Sequence, residues 1–343
     1  MFPDSSQRRD SPKMIMPSVI TEEILPAEDV SRFSALLSGE EFRRELGRLF
    51  VSQWRWGKPE EVQVKPLKAH KDRCTFDVRV KTEQGWRSII GKVYSNDRPD
   101  VMIMQKAVAQ SGFGPDGKFA IAQPLAYVSS LRILFEEKIQ GKLAMELFLN
   151  GSPDEQTEAA RRSGKWLARF HSYAPRLGRT TAPKELLPQI SYWSERIKRS
   201  GEPFASKSES LFRRLDSTMP DSVESCCGHG SFIPEHVFLN GPQTIAIDLD
   251  EHDVADPSRD LAWFIVSLER LGLKQGLSIR AHDREVAEFL EAYTSARNLD
   301  ASKQLPFFKA VECLHRAHRD LYKRTVPIPE WSEAMIDEGL SSL

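Results

Sequence analysis

Hydrophobic and polar residues alternate most regularly over residues 74–80, where Cys74, Phe76, Val78 and Val80 are separated by Thr75, Asp77 and Arg79, and a second extended stretch follows at 86–94. A period of two is that of a half-buried strand. Glu83-Gln84-Gly85 lies between the two stretches, so they read as a β-hairpin with Lys92 in its second strand. Residues 132–141, RILFEEKIQG, read as another strand running out into a connection. Elsewhere the apolar period lengthens to that of a helix. Ser38-Gly39-Glu40-Glu41 has the form of a capping box ahead of an apolar face made by Phe42, Leu46, Leu49 and Phe50. Ser152-Pro153-Asp154-Glu155 is a second helix start, with proline at the first helical position, and the helix it opens carries Ala160, Gly164, Leu167 and His171 on one face. Helical spacing recurs at about 100–110, 261–271, 283–296 and 307–323, and the stripe Phe307, Val311, Leu314 and His318 reads as core. Residues 1–30 are polar and proline-bearing and read as a mobile tail.

The chemistry concentrates in residues 227–264. His229-Gly230-Ser231 interrupts any regular element, Val237-Phe238-Leu239 is a short buried run, and Asn240-Gly241 is a hairpin signal leading into the strand Thr244-Ile245-Ala246-Ile247. Asp248 emerges at the end of that strand. With the chain extended there, Asp248 and Asp250 point to one side, and two carboxylates on one side suit a hard cation such as Mg²⁺.

These residues read HGSxxxxH, then IDLD, then ADPSRDLA. The segment resembles the aminoglycoside phosphotransferase and choline kinase family, whose signature runs roughly HGDxxxxN, ID(x)D and GDPxxDLA. The resemblance implies an α+β, two-lobed protein-kinase-like fold: a small, mostly antiparallel β lobe over residues 31–138 that binds nucleotide, and a larger helical lobe over 139–343 that carries the catalytic loop. It also implies roles. His229 braces the catalytic loop, Ser231 stands where the catalytic base belongs, His236 stands at a metal-ligand position, and Asp248 is the principal Mg²⁺ ligand. Asp260 caps and anchors. Lys92 holds the ATP phosphates, and backbone groups of Glu136, Glu137 and Lys138 meet the adenine. GKWLARFH resembles the family's (G)xxLAxLH helix and gives His171 a structural role.

The sequence departs from that pattern at informative places. A serine hydroxyl is no base at neutral pH, and loss of a general base costs about 10²–10⁴-fold in rate. Imidazole at position 236 is a poor partner for Mg²⁺. Residues 68–73 hold no glycine where a glycine-rich phosphate loop is expected, leaving Lys71 and Arg73 as side-chain substitutes or as a solvated turn. The helix after Lys92 offers Gln105 and no glutamate to pair that lysine.

Composition narrows the partners. The chain has 343 residues with 48 basic and 49 acidic side chains, a net charge of −1, so it carries no global footprint for nucleic acid or an anionic membrane. Cys74, Cys226, Cys227 and Cys313 show no CxxC spacing and read as reduced, buried thiols. Cys313 with His315 and His318 completes no zinc spacing. No run of about eighteen apolar residues occurs and the first residues lack a signal-peptide core, so a cytoplasmic location is expected. Tyr192 and Trp193 fall in the region where the family's acceptor sites vary, and read as packing. Glu195, Glu202 and Glu209 are either an acidic acceptor lining or, with Lys198, Arg199 and Lys207 among them, a solvated surface. The expected activity is ATP- and Mg²⁺-dependent phosphorylation of a hydroxyl on a small molecule. The alternatives are a silent, nucleotide-binding or protein-binding module of kinase shape, and a likeness confined to the fold.

Overall fold

The computed structural model describes residues 33, 36–70, 72–221, 224–297 and 303–343; the expected tail, 1–30, and Lys71 lie outside the described residues. Helix α1 (Glu40–Arg48) begins the first lobe and runs on into a π-helical turn, Leu49–Gln53. Its N-cap is Gly39, with no side-chain cap, because Ser38 belongs to a preceding helical stretch; the capping box expected at Ser38 therefore does not form. Phe42, Leu46, Leu49 and Phe50 are buried, as the apolar face required.

They pack on an antiparallel sheet of β1 (Glu61–Ala69), β2 (Arg73–Thr82), β3 (Gly85–Tyr94), β5 (Pro124–Val128) and β6 (Ile133–Glu137), ordered β1-β2-β3-β6-β5. The expected hairpin is β2–β3, with Val78 opposite Ile89 and Thr82 opposite Gly85. Gly91 lies opposite Phe76 in that register. A Cβ at Gly91 would sit 2.3 Å from the Phe76 ring, so the absent side chain is what lets this ring cross the sheet beside Lys92.

Helix α2 (Pro99–Val108) follows, and its far end leaves the first lobe: Met104, Val108 and Phe113 join the larger core. Strand β4 (Phe119–Ile121) also lies on that side, running parallel to β10 (Gln243–Ala246) in a second sheet with β9 (Val237–Asn240) and β7 (Lys142–Leu143). The β9–β10 turn pairs Asn240 with Gln243, so its two loop residues are Gly241 and Pro242, one step beyond the expected Asn240-Gly241. Gly241 takes the left-handed conformation the turn needs, at φ 51°.

The helical lobe holds α3 (Ala144–Asn150), α4 (Pro153–Tyr173), α5 (Leu187–Lys198) and α6 (Phe204–Ser217). A short pair, β8 (Cys226–Gly228) with β11 (Asp253–Ala255), then leads to α7 (Ser258–Lys274), α8 (Asp283–Arg297), α9 (Leu305–Tyr322) and α10 (Pro329–Ser342). The Ser152 capping box forms as expected. A column of rings runs through the lobe: Phe170 stacks on Trp166 at 5.0 Å, Trp166 on Phe232 at 5.5 Å, Phe232 on Phe264 at 5.5 Å and Phe264 on Phe289 at 4.2 Å. The four cysteines are buried and unpaired. Among the described residues no helix is long and apolar enough to cross a membrane.

Helices α4 and α8 meet backbone to backbone at Gly164, where a Cβ would lie 2.3 Å from the Phe289 carbonyl oxygen. Alanine gains about 1 kcal/mol of helix propensity over glycine, but forcing this contact apart costs about 1–3 kcal/mol or more. Gly164→Ala is therefore expected to lower the urea midpoint, by about 1–2 kcal/mol net in free energy. A raised midpoint would mean the two helices separate at no cost.

Candidate active site

Lys92 lies in β3 between Thr75 of β2 and Leu134 of β6, with its ammonium buried under the sheet. Its Nζ lies 3.0 Å from Asp248 Oδ1, 2.9 Å from Asp250 Oδ1 and 3.3 Å from Glu136 Oε2. Burial disfavours its charge, yet the three carboxylates hold Lys92 well above the ordinary lysine value. The partner expected from the following helix comes instead from the neighbouring strand. Glu136 is inside β6, opposite Ile90, which turns its side chain to the Lys92 face, and Gln105 of α2 donates an amide hydrogen bond to its carboxylate. Burial pushes the Glu136 carboxyl up, against the pull of Lys92.

The side chain of Glu136, rather than its backbone, thus reaches the cleft. Glu137 N–H is held by Gln123 O at 2.9 Å, and Lys138 Nζ is ion-paired to Asp77 at 2.6 Å. The connection between the lobes begins at Lys138, where regular structure stops.

Asp248 and Asp250 do converge, by a different route from strand alternation. Asp248 is left-handed, at φ 67° and ψ 58°, and a 3₁₀ turn, Leu249–Glu251, follows. Leu249 is buried in the large core, and that anchor swings both neighbours' carboxylates back to Lys92. Such a conformation costs a non-glycine residue about 1–2 kcal/mol, which the ion pairs offset. Two further groups close the cluster. Arg73, the first residue of β2, puts Nη1 3.2 Å from Asp248 Oδ1 and also against Asp250, and the Tyr94 hydroxyl donates to Asp250 Oδ2 at 3.1 Å. Burial works against ionisation of Asp248, but Lys92 and Arg73 hold its carboxyl well below the usual range.

The loop at residues 229–231 is held from behind. In the first turn of α7, Asp260 accepts from His229 N–H at 2.7 Å and Gly230 N–H at 2.9 Å, fixing the backbone just before Ser231. Asp260 also accepts from His171 Nε2 at 3.1 Å, and Tyr293 O–H donates to His171 Nδ1 at 2.9 Å, so His171 is a neutral strut. The imidazole of His229 donates to Ile247 O at 3.0 Å, tying the loop to the Asp248 strand, while its Nδ1 is buried without a partner. Burial lowers its pKa to about 4. Gly230, at φ 81°, admits no side chain, since a Cβ there would lie 1.9 Å from Glu251 O. Beyond Ser231, Phe232 is locked between Trp166 and Phe264.

Ser231 is half-buried, and its carbonyl accepts from His236 Nδ1–H at 2.8 Å. That bond leaves His236 Nε2 facing Asp248 Oδ2 across 3.4 Å. A nitrogen lone pair opposite a carboxylate calls for a positive charge between them, so this donor pair fits a cation. Among the described residues no three His, Cys, Asp or Glu side chains make a metal site by themselves, so such a cation takes its remaining ligands from phosphate and water.

On the other side of Ser231 opens a cavity of about 430 Å³, lined by Gly230, Ser231 and Asp250 and walled by Arg98, Arg179, Arg259 and Trp263. Glu195, Glu202 and Glu209 are not among its walls: Lys198 pairs with Glu195 and Glu209, and Ser206 donates to Glu202. The acidic lining is replaced by the solvated surface. Sequence reasoning missed the Glu136 carboxylate, Tyr94 and Arg98. Period two in β3 places Tyr94 on the face of Lys92, and that signal was available.

Among curated proteins no relative matches. Solved structures do. A choline kinase from Cryptosporidium parvum is 11% identical with a TM-score of 0.60, covering 89% of this chain and 95% of that one. The choline kinase LicA from Streptococcus pneumoniae is 14% identical with a TM-score of 0.58, over 88% and 99%. The macrolide 2′-phosphotransferase MphH from Brachybacterium faecium is 14% identical with a TM-score of 0.51, over 87% and 97%. At these identities the likeness carries the fold alone, and it is the two-lobed, kinase-like fold that the motif implied. Residues 77–323 match the profile of the phosphotransferase enzyme family, and the chain belongs to that family.

Proposed function

We propose that this protein transfers the terminal phosphoryl group of ATP to a hydroxyl of a small molecule. The convergence of Lys92, Asp248 and the Ser231 loop on one cleft, with an open cavity beyond Ser231, is the observation that carries this reading. Lys92 holds the phosphates, the backbone at Lys138, where the connection between the lobes begins, borders the adenine, and the acceptor enters the cavity, hydroxyl toward Ser231. Asp248, with Asp250 beside it, would hold Mg²⁺, and His236 Nε2, a poor ligand for that ion, would border it. When bound, Mg²⁺ neutralises the charge that builds on the transferring phosphoryl oxygens. Ser231 orients the acceptor hydroxyl without removing its proton. Phosphoryl transfer rests mostly on positioning and charge, so turnover persists slowly. A user of ATP works in the cytoplasm, where the substrate is abundant.

A second reading, nucleotide binding without turnover, is favoured by one observation. Ser231 stands where the base belongs, and His236 spends its Nδ1–H on the loop backbone rather than on an acceptor.

Calorimetry separates the readings. The protein is expected to bind ATP with Mg²⁺, and Asp248→Ala to weaken that binding at least about 10-fold, the size of one lost charge-assisted contact. Ser231→Asp is expected to raise ATP consumption about 10²-fold or more. Binding without any turnover, in both the wild type and Ser231→Asp, would favour the silent module; absence of binding would sink both readings.

The loop brace also sets an acid limit. His229 has a folded pKa of about 4 against an ordinary value of 6.5. The unfolded chain therefore takes up this proton first, so the stabilisation is complete above pH 6.5 and lost as pH falls toward 4. The loss is about 3 kcal/mol. Urea midpoints measured from pH 7.5 down to 4 are expected to fall less steeply in His229→Asn than in the wild type. Parallel slopes would show that His229 is solvated.

A further inference from the structure

We propose that Arg73 is the phosphate-positioning residue of this cleft, holding the Asp248–Asp250 pair through one nitrogen while its remaining nitrogens face the phosphates of a nucleotide. The inference rests on the ATP-dependent reading above and adds to it a residue on the strand turn. In a glycine-rich loop, backbone amides approach the phosphates. Here the backbone that closes the turn between β1 and β2 is engaged: His70 N–H donates to Arg73 O at 2.7 Å, Arg73 N–H to His70 O at 3.4 Å, and Asp72 O accepts from Ser95 N–H at 2.8 Å. No glycine stands in residues 68–73 to open it.

A charged side chain stands in the place of those amides. The Arg73 side chain retains only 20% exposure and reaches the cluster on Lys92. Both of its ion pairs are made by Nη1 alone, and among the described residues Nε and Nη2 make no hydrogen bond. A guanidinium is a planar fork whose donors match a carboxylate or a phosphate two at a time. One prong anchored on Asp248 and Asp250 therefore fixes the direction of the other donors, beside the Lys92 ammonium. The two cations face three carboxylates, and the excess negative charge is one that the Mg²⁺ of a nucleotide would offset. Lys92 and Arg73 face the carboxylates of Asp248, Asp250 and Glu136, so both cations are already ordered before a nucleotide arrives. Ordering is the larger cost of recruiting so flexible a side chain, and here it is met in the free protein.

The test compares ATP and adenosine binding to the full chain by calorimetry, with Mg²⁺, in the wild type, Arg73→Gln and Arg73→Lys. Arg73→Gln is expected to weaken ATP about 10–100-fold, the range of a charge-assisted hydrogen bond, and to leave adenosine unchanged. Arg73→Lys, which keeps the charge and loses the fork, is expected to fall between. Equal ATP affinity in Arg73→Gln and the wild type would overturn the inference and leave the proposed function standing. Equal weakening of ATP and adenosine would overturn it too, by showing a role in shaping the cleft rather than in meeting phosphate. A wild type that binds neither ligand would overturn the inference together with the reading it rests on.

Discussion

Buried charge in the cleft is the constraint on which the rest depends. The Lys92 ammonium is almost fully enclosed and is tolerated there because carboxylates from β6 and from the turn after β10 come within 3.3 Å of it. Removing Lys92 would leave these buried carboxylates uncompensated, at a cost of about 3–5 kcal/mol. The sheet lobe supplies Lys92, Arg73, Tyr94 and Glu136, and the helical lobe supplies Asp248 and Asp250. The lobes are thus fastened at the point where chemistry is expected. The left-handed backbone at Asp248 persists for the same reason: the cluster and buried Leu249 together fix what φ and ψ alone would not.

The loop that carries Ser231 is fixed by a second, independent system. Asp260 takes two backbone N–H groups, His171 and Tyr293 hold Asp260, and Phe232 is wedged into the ring column. None of these contacts uses the Ser231 side chain. The frame around residue 231 is complete, and the group it carries is a hydroxyl where the family pattern has a carboxylate.

Much of this was legible in the sequence. The alternation at 74–80 and the helical periods beyond 261 marked their elements to within a few residues, because in both cases one face had to be buried. The spacing of His229, Asp248 and Asp260 marked the loop, the strand end and the anchor, since each is tied to a local break in the chain. What escaped was set by contacts across the sheet. Glu136 reads in sequence as part of a connection, and only the register that pairs it with Ile90 turns its carboxylate to Lys92. Arg73 was left between a solvated turn and a phosphate group, because no local pattern shows that a strand's first residue will reach across to the opposite lobe. Ser38 failed as a cap because the chain before it is already helical, which a four-residue motif does not reveal.

The seat of the lysine's glutamate has a mechanical consequence. In protein kinases that glutamate rides on a helix, and displacing the helix breaks the ion pair and switches the enzyme off. Here Glu136 and Lys92 stand on adjacent, hydrogen-bonded strands, and α2 reaches the pair through the amide of Gln105. A helix can tilt away as a unit, whereas two strands part only by tearing their shared ladder. The helix lever of protein kinases is not what seats this pair, which the strand ladder holds as a fixture rather than a switch.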